Sequence, residues 1–581
     1  MHSLAKGTDT STLESYPRAA RSARNTSPSI RGEHLASVTA RAVPAQRPPV
    51  TPVGGGCYTS PVRTALVSAL VVGGVVAWLN IGRTLSNADF IYMCAAAQIL
   101  KTGALLASPY FPPGYPLLLW CVMQAGLSSL NAGAVLAAAG TGLTAGAVAY
   151  IARFWRCPPA VALCLGLLAA SLPDVFQVAM NPHLDALYTG LAAVFIAAAL
   201  RSLGYRPHTS VAPTATVAAL AAVVLLSLRY HAVLLVIPAA VVMLCSRKAR
   251  PAGAAVLIVS AVALGWVYWS LWVCTGRIET AAVTQVYAGE SYRRLGEEKA
   301  THVIFDNYPA WRSQVPRTVD PIMMAAAAQA NWPVFLTRKG VLLGAAAWLL
   351  ILLIRRRMAW ESAWLLPFIA LYTLAVSVTY FTPRASALTE AAGLMLLAAA
   401  LGSAFAPFAA ELPSRRRRRG YRQTNVVDPA ILGGIAVLLL LGGIGYNAWR
   451  ERTFVLDWRQ RGAKLTQLSR EALKLAGNDR RKVCGAMGLV GWPVTPPSNL
   501  PSATYSRFWL DDPAISPAFD SLIPRYSPTE LLTGRTPVQV IVLIEEVGGR
   551  PEQQLLAALP TDASWREVPS PVPGVRLWVR R

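Results

Sequence analysis

Apolar residues along this chain come in long uninterrupted runs, at 62–82, 132–152, 158–172, 185–203, 213–228, 231–246, 253–273, 339–354, 359–379, 385–406 and 430–447. A helix rises about 1.5 Å per residue, so a hydrocarbon core of about 30 Å takes about 20 residues. Each run therefore predicts a membrane-crossing helix, the shorter ones tilted or incomplete. One further run, 115–131, is ambiguous: it follows Pro112-Pro113 and carries Gln124, Gly126, Ser128 and Ser129. The pattern changes after residue 447. Residues 453–476 space Phe454, Leu465, Leu468 and Leu473 as a helix does, and 538–544 and 575–579 read as short strands.

Charge placement decides the ambiguous run. If 115–131 does not cross and the N-terminus is inside, the loops with Arg153/Arg156, Arg201/Arg206, Arg247/Lys248/Arg250, Arg355–Arg357 and Arg415–Arg419 all face the cytoplasm. If it crosses, all of them move outside, against the bias that orients membrane proteins. The expected fold is thus an α-helical polytopic membrane protein. It has about eleven crossings, a juxtamembrane or re-entrant helix at 115–131, and a small extracytoplasmic α/β domain at 448–581. The membrane domain is 62–447, with outer segments 83–131 and 274–338.

Composition agrees with this. The chain is 54% hydrophobic and 14% charged, where soluble domains carry about 25% charged residues. The net charge of +25 sits largely in the short loops and is a topology signal, so no nucleic-acid partner is expected. Residues 1–61, rich in Ser, Thr, Arg, Pro and Ala, read as a disordered cytoplasmic tail. The first apolar run is an uncleaved span, not a signal peptide. The eight cysteines are scattered and have no metal-ligand spacing. Cys274 and Cys484, both expected outside, are expected unpaired.

The candidate chemistry begins just after the first span, at Ser86-Asn87-Ala88-Asp89-Phe90-Ile91-Tyr92, and continues through Gly103 to Tyr110-Phe111-Pro112-Pro113-Gly114-Tyr115-Pro116-Leu117-Leu118. Asp89 is a carboxylate at the outer membrane surface, able to act as a general base or to hold a metal. From composition alone, a helix N-cap or a solvated loop acid is the favoured reading. Asp185, in Asn181-Pro182-His183-Leu184-Asp185, opens a span entering from the same face, where a carboxylate suits a helix N-terminus. An acid this near the bilayer is also a site hypothesis, and His183 reads as its hydrogen-bonding partner.

These elements resemble the GT-C superfamily of polyprenyl-phosphate-sugar-dependent glycosyltransferases, which includes protein O-mannosyltransferases, lipid A aminoarabinose transferases and actinobacterial α-mannosyltransferases. The shared pattern is an Asp in the first outer loop (Asp89), a Tyr three residues on (Tyr92), a small-residue helix ending near Gly103, and the Tyr/Pro segment from Tyr110 to Leu118. Many members carry two adjacent acids in that loop. Asp89-Phe90 here is closer to the α-mannosyltransferase branch. The layout extends over about 62–410, with residue-level matches at 86–118, 181–187 and 380–384.

The resemblance implies transfer of one sugar, mannose or a related one, from a polyprenyl-phosphate donor to a hydroxyl of a glycan, lipid or protein acceptor. The reaction would lie on the extracytoplasmic face of a bacterial plasma membrane. Asp89 and Asp185 would be the catalytic acids, sharing a divalent cation (Mg or Mn) if one is needed. Tyr92, Tyr110, Tyr115 and His183 would line the substrate site, while Arg229, Tyr380 and Arg384 would face the donor phosphate. Arginine suits such bidentate contact; each of these cations also suits snorkelling to lipid headgroups. A transporter or flippase would place acids near the membrane midplane and show repeats, and no repeat is visible. A polymerase or ligase with a diphosphate-linked donor remains the other enzymatic alternative.

Overall fold

Glycine and alanine crowd the helices at the centre of the bundle, and these two residues let backbones touch. The computed structural model describes residues 60–80, 111–180, 183–204, 212–278, 282–295, 320–336, 383–415, 429–485, 526–544 and 550–581, with short or isolated stretches between them. The membrane part comprises α1 (Pro61–Asn80), α2 (Gly114–Met123), α3 (Ser129–Phe154), α4 (Pro159–Ser171), α5 (Pro173–Ala179), α6 (Leu184–Leu203), α7 (Ala212–Leu228), α8 (Val233–Cys245) and α9 (Arg250–Thr275). It continues with α10 (Ala282–Leu295), α11 (Pro321–Leu336), α12 (Pro383–Arg415) and the first part of α13 (Pro429–Leu475).

The core is built on α3 and α6, whose apolar stretches are 78% and 83% buried, against 22% for α1 and 11% for the apolar part of α13. A β-carbon on Gly190 of α6 would overlap the Gly140 carbonyl of α3, and one on Gly140 would overlap the Ala186 carbonyl. Small residues thus bring the two backbones into contact, the usual solution where lipid supplies no hydrophobic force between helices. Gly73, Gly142 and Gly146 bring α1 against α3 in the same way.

The run 115–131 breaks for local reasons. Gly126 takes φ +82°, ending α2, and the Ser128 side chain accepts the Asn131 N–H at 3.2 Å, starting α3 afresh. The ten-residue α2 is too short to span. The run 158–172 differs from expectation: Pro173 cannot continue the hydrogen-bond ladder, and the helix resumes as α5 after a bend of 68°.

Five helices of the described residues are long and apolar enough to cross a membrane, or six if α4 and α5 count as one broken span. Four shorter apolar helices accompany them, at 114–123, 212–228, 230–245 and 386–402. The expected spans 339–354 and 359–379 lie outside the described residues apart from Gly344, Phe368, Tyr372 and Leu374, and so does the tail 1–59.

Successive helix ends gather at two poles. At one, the Asn80 amide donates to the Ala179 carbonyl at 2.6 Å and the Ala107 N–H to Cys274 Sγ at 3.3 Å. At the other, the Cys157 thiol donates to the Ala398 carbonyl at 3.4 Å, and the Arg201 guanidinium lies 5.0 Å from the Phe154 ring centre. Exposed Trp78, Trp269 and Trp272 stand near the ends of α1 and α9 at the first pole, and exposed Tyr446 and Trp449 stand toward the end of the apolar stretch of α13, the arrangement of an interfacial aromatic belt.

The helix expected at 453–476 is not separate from the last span. The two form one 47-residue helix, α13. Its polar second half keeps helical hydrogen bonding beyond the apolar stretch, because nothing at Arg450-Glu451-Arg452 breaks it. The helix ends on a five-stranded sheet of β1 (Val483–Gly485), β2 (Ala503–Thr504), β3 (Val540–Ile544), β4 (Trp565–Val568) and β5 (Val575–Arg580), ordered β2-β1-β3-β5-β4. β1 is parallel to β2 and β3, while β5 is antiparallel to β3 and β4. Alternation splits β3 between two cores. Val540 and Val542 meet Leu468 and Ala472 of α13, and Ile541 and Leu543 meet Leu531, Leu555 and Trp578.

Candidate active site

Asp185 sits in the first turn of α6, raised to the end of the bundle by the Gly140–Gly190 crossing beneath it. The chain enters that turn through His183 in extended conformation, φ −124° and ψ 164°. Arg229 follows the last residue of α7 in extended conformation and precedes a single 3-10 turn, Tyr230–Ala232, that reverses the chain into α8. This tight hairpin aims the guanidinium at α6. Arg229 Nη2 donates to Asp185 Oδ1 in an ion pair, and His183 Nδ1 lies 2.9 Å from Asp185 Oδ2. His183 is 1% exposed and Asp185 7%. A charge this deeply buried persists only when paired.

The roof of this pair is Phe111. Its ring meets His183 edge-on at 6.4 Å, and the Arg229 guanidinium carbon lies 5.6 Å from its centre, within range of a cation–π contact. Phe111 is held by a turn in which its N–H donates to Ser108 Oγ at 3.1 Å. That turn is tied to the bundle by the Tyr230 hydroxyl, which donates to the Ser108 carbonyl at 2.7 Å. Cys274 fastens the residues before it, accepting from Ala107 N and donating to the Leu105 carbonyl at 3.1 Å. A β-carbon on Gly114 would overlap the Ser227 carbonyl, so α2 docks directly against the end of α7 beside Arg229.

Behind the pair stands a ring cluster that no sequence motif marks. Tyr188, one turn along from Asp185, meets His231 edge-on at 5.2 Å, and His231 lies 6.3 Å from Tyr372. These side chains come from α6, the hairpin and a third segment. The signal available in sequence was the Arg229-Tyr230-His231 triplet alone.

Of the expected site residues, the structure brings together Asp185, His183 and Arg229. Tyr115 is fully buried in the bundle core. Arg384 lies in the first turn of α12. Asp89, Tyr92, Tyr110 and Tyr380 lie outside the described residues. The Asp185 oxygens face a guanidinium and an imidazole, and among the described residues no three metal-ligating side chains stand together. These residues do not by themselves compose a divalent-cation site. Cys274 and Cys484 are free thiols, with Cys484 buried in the sheet domain, where burial raises its thiol pKa.

No family model matches the chain, nor does any curated protein sequence. Among solved structures, its fold is similar to that of ArnT from Cupriavidus metallidurans, solved bound to undecaprenyl phosphate and also in the apo state. Each likeness has a TM-score of 0.53 at 15% sequence identity and covers 89% of this chain and 97% of the other. The likeness is one of fold: a mostly helical, multi-pass membrane architecture with a small sheet.

Proposed function

We propose that this chain is a membrane glycosyltransferase drawing its sugar from a lipid-linked donor. The observation that carries the reading is the partly buried Arg229, held by Asp185 at the end of the bundle beneath Phe111. The fold likeness to a protein solved with undecaprenyl phosphate bound supports the class of donor, a polyprenyl phosphate; the sugar it carries would be mannose or a related one. The acceptor would be a hydroxyl on a glycan, lipid or protein, and the reaction would lie on the extracytoplasmic face of a bacterial plasma membrane.

In this mechanism Asp89 takes the proton of the acceptor hydroxyl as its oxygen bonds to the anomeric carbon. The bond from that carbon to the phosphate oxygen breaks, and the electron pair leaves with the lipid phosphate. Arg229 and Arg384 neutralise the charge that develops there, the electrostatic stabilisation on which such transfers chiefly depend. Asp185 and His183 hold Arg229 in place. An acid catalyst at the leaving group is not required, since phosphate leaves readily.

The test is transfer from purified undecaprenyl-phosphate mannose to extracted envelope lipids and glycans, with a melting curve beside it. Asp89→Asn keeps the shape of the side chain and removes its basicity, so turnover should fall by about 10²–10⁴-fold at unchanged melting temperature. Full activity in that variant removes Asp89 from the mechanism. A small loss of stability with intact turnover would make it a helix cap.

A further inference from the structure

Pro173 starts α5 inside the apolar layer, leaving the next backbone N–H groups without partners in their own helix. The preceding residue is Leu172, whose side chain cannot accept a hydrogen bond. In an environment short of water, such orphaned donors are costly. They are satisfied from far along the chain: Glu390 Oε2, on α12, accepts from Asp174 N at 3.1 Å and from Val175 N at 3.2 Å. The Ser386 hydroxyl, one turn earlier on α12, donates to Asp174 Oδ2. Ser386, Glu390 and Asp174 are all nearly completely buried.

We propose that Glu390 is a positioning residue for the candidate site, serving as the N-cap that α5 lacks and fixing α5 to α12. The consequence follows from chain length. α5 has seven residues, and His183 and Asp185 come four and six residues after it. Where α5 sits therefore decides where the chain enters α6. Arg384 lies six residues before Glu390, in the first turn of α12. One carboxylate thus ties the segment leading to Asp185 to the helix that opens with Arg384. What is positioned rests on the glycosyltransferase reading above; the tie itself does not.

The experiment uses the full chain in lipid nanodiscs, with Cys57, Cys94 and the exposed Cys121 and Cys245 replaced by Ser. Spin labels at Gln177 on α5 and Tyr446 on α13, both exposed, report the α5 position. Binding of undecaprenyl phosphate, counted per folded molecule, reports the site. Glu390→Ala should shift or broaden the label distance and weaken binding about 10-fold or more, the equivalent of one charged hydrogen bond. Glu390→Gln retains an amide oxygen that can accept the same two N–H groups, and should restore both readouts to within about threefold of the parent. If E390A fails to insert, Ser386→Ala, which removes only the hydroxyl on Asp174, is read in the same way with a smaller effect.

An unchanged label distance in E390A, or an E390Q as impaired as E390A, overturns the proposal. If the parent does not bind undecaprenyl phosphate but E390A alone moves the labels, the tie stands and the donor assignment falls.

Discussion

Two arginine–carboxylate pairs, one at each end of the chain's architecture, show how much burial changes the meaning of the same contact. In the sheet domain, Arg576 on β5 grips Glu567 on β4 with two hydrogen bonds, Nε to Oε1 at 2.7 Å among them, and the side chains remain 29% and 40% exposed. In the bundle, the side chains of Arg229 and Asp185 are, taken alone, 17% and 10% exposed, under Phe111 and against His183. The exposed pair has ideal geometry, yet water competes for both partners, so it contributes about 0.2–1 kcal/mol. The bundle pair gains little as a stabiliser, because desolvation offsets the attraction. Removing one partner there leaves an uncompensated charge and costs about 3–5 kcal/mol. A charge kept in such a place is better explained by what it binds than by what it stabilises.

The strongest way to break the contrast is to undo the packing that creates the burial. Gly190→Leu would force α6 away from α3, since even a β-carbon overlaps the Gly140 carbonyl. Overpacking of this kind should destabilise by about 3 kcal/mol or more, seen as loss of monodisperse protein or a sharply lower melting temperature. Gly74→Leu, at a position where a β-carbon meets nothing within 4 Å, should leave melting almost unchanged. Equal behaviour of the two variants would mean that the α3–α6 crossing does not set the core.

A double-mutant cycle sharpens the comparison directly. The coupling between Arg229→Ala and Asp185→Ala should be about 1.5 kcal/mol or more, within the range of close buried charge pairs. The same cycle on Arg576 and Glu567 should give under about 1 kcal/mol. Matching coupling energies for the two pairs would show that the bundle end is as wet as the sheet domain surface.

The sheet-domain pair is partly legible in the chain's local pattern, the bundle pair less so, and the reasons differ. Val540–Ile544 and Val575–Arg580 are short β-rich runs between turn signals, so local sequence already marks them as strands. β1 and β4, at three and four residues, carry too few positions for a period to emerge. Gly126 and Ser128 interrupt 115–131 by local chemistry visible in sequence, whereas Arg450-Glu451-Arg452 looks like the end of a helix, yet the helix passes through it unbroken. His183 and Asp185 are neighbours in sequence and could be paired on paper. Arg229 meets Asp185 across 44 positions and Glu390 meets Asp174 N across 216. Such contacts arise from how α5, α6, α7 and α12 pack, which no local pattern encodes. The meeting of Tyr188, His231 and Tyr372 is hidden for the same reason.

The smallest effect tests the exposed pair by acidity. The hydrogen bond from Arg576, aided by its positive charge and opposed by slight desolvation, holds the Glu567 carboxyl below the usual glutamate range. A carboxyl whose pKa is lowered by folding stabilises the folded state at pH above its unfolded value. That contribution disappears as pH falls through the lower, folded value. Glu567→Gln, which cannot titrate, should therefore melt slightly below the parent at pH 7, and the gap should close as the solution is taken below about pH 4. Because both partners are well exposed, the gap should stay under about 1 kcal/mol and shrink further in about 1 M salt. Melting curves followed by tryptophan emission, which includes Trp565 and Trp578 on the same two strands, provide the measurement. A gap that widens toward low pH would have the wrong sign for a carboxyl held low by arginine. A gap indifferent to salt would mean that the Arg576–Glu567 contact is shielded from water, and the contrast with Arg229–Asp185 would then have to rest on something other than burial.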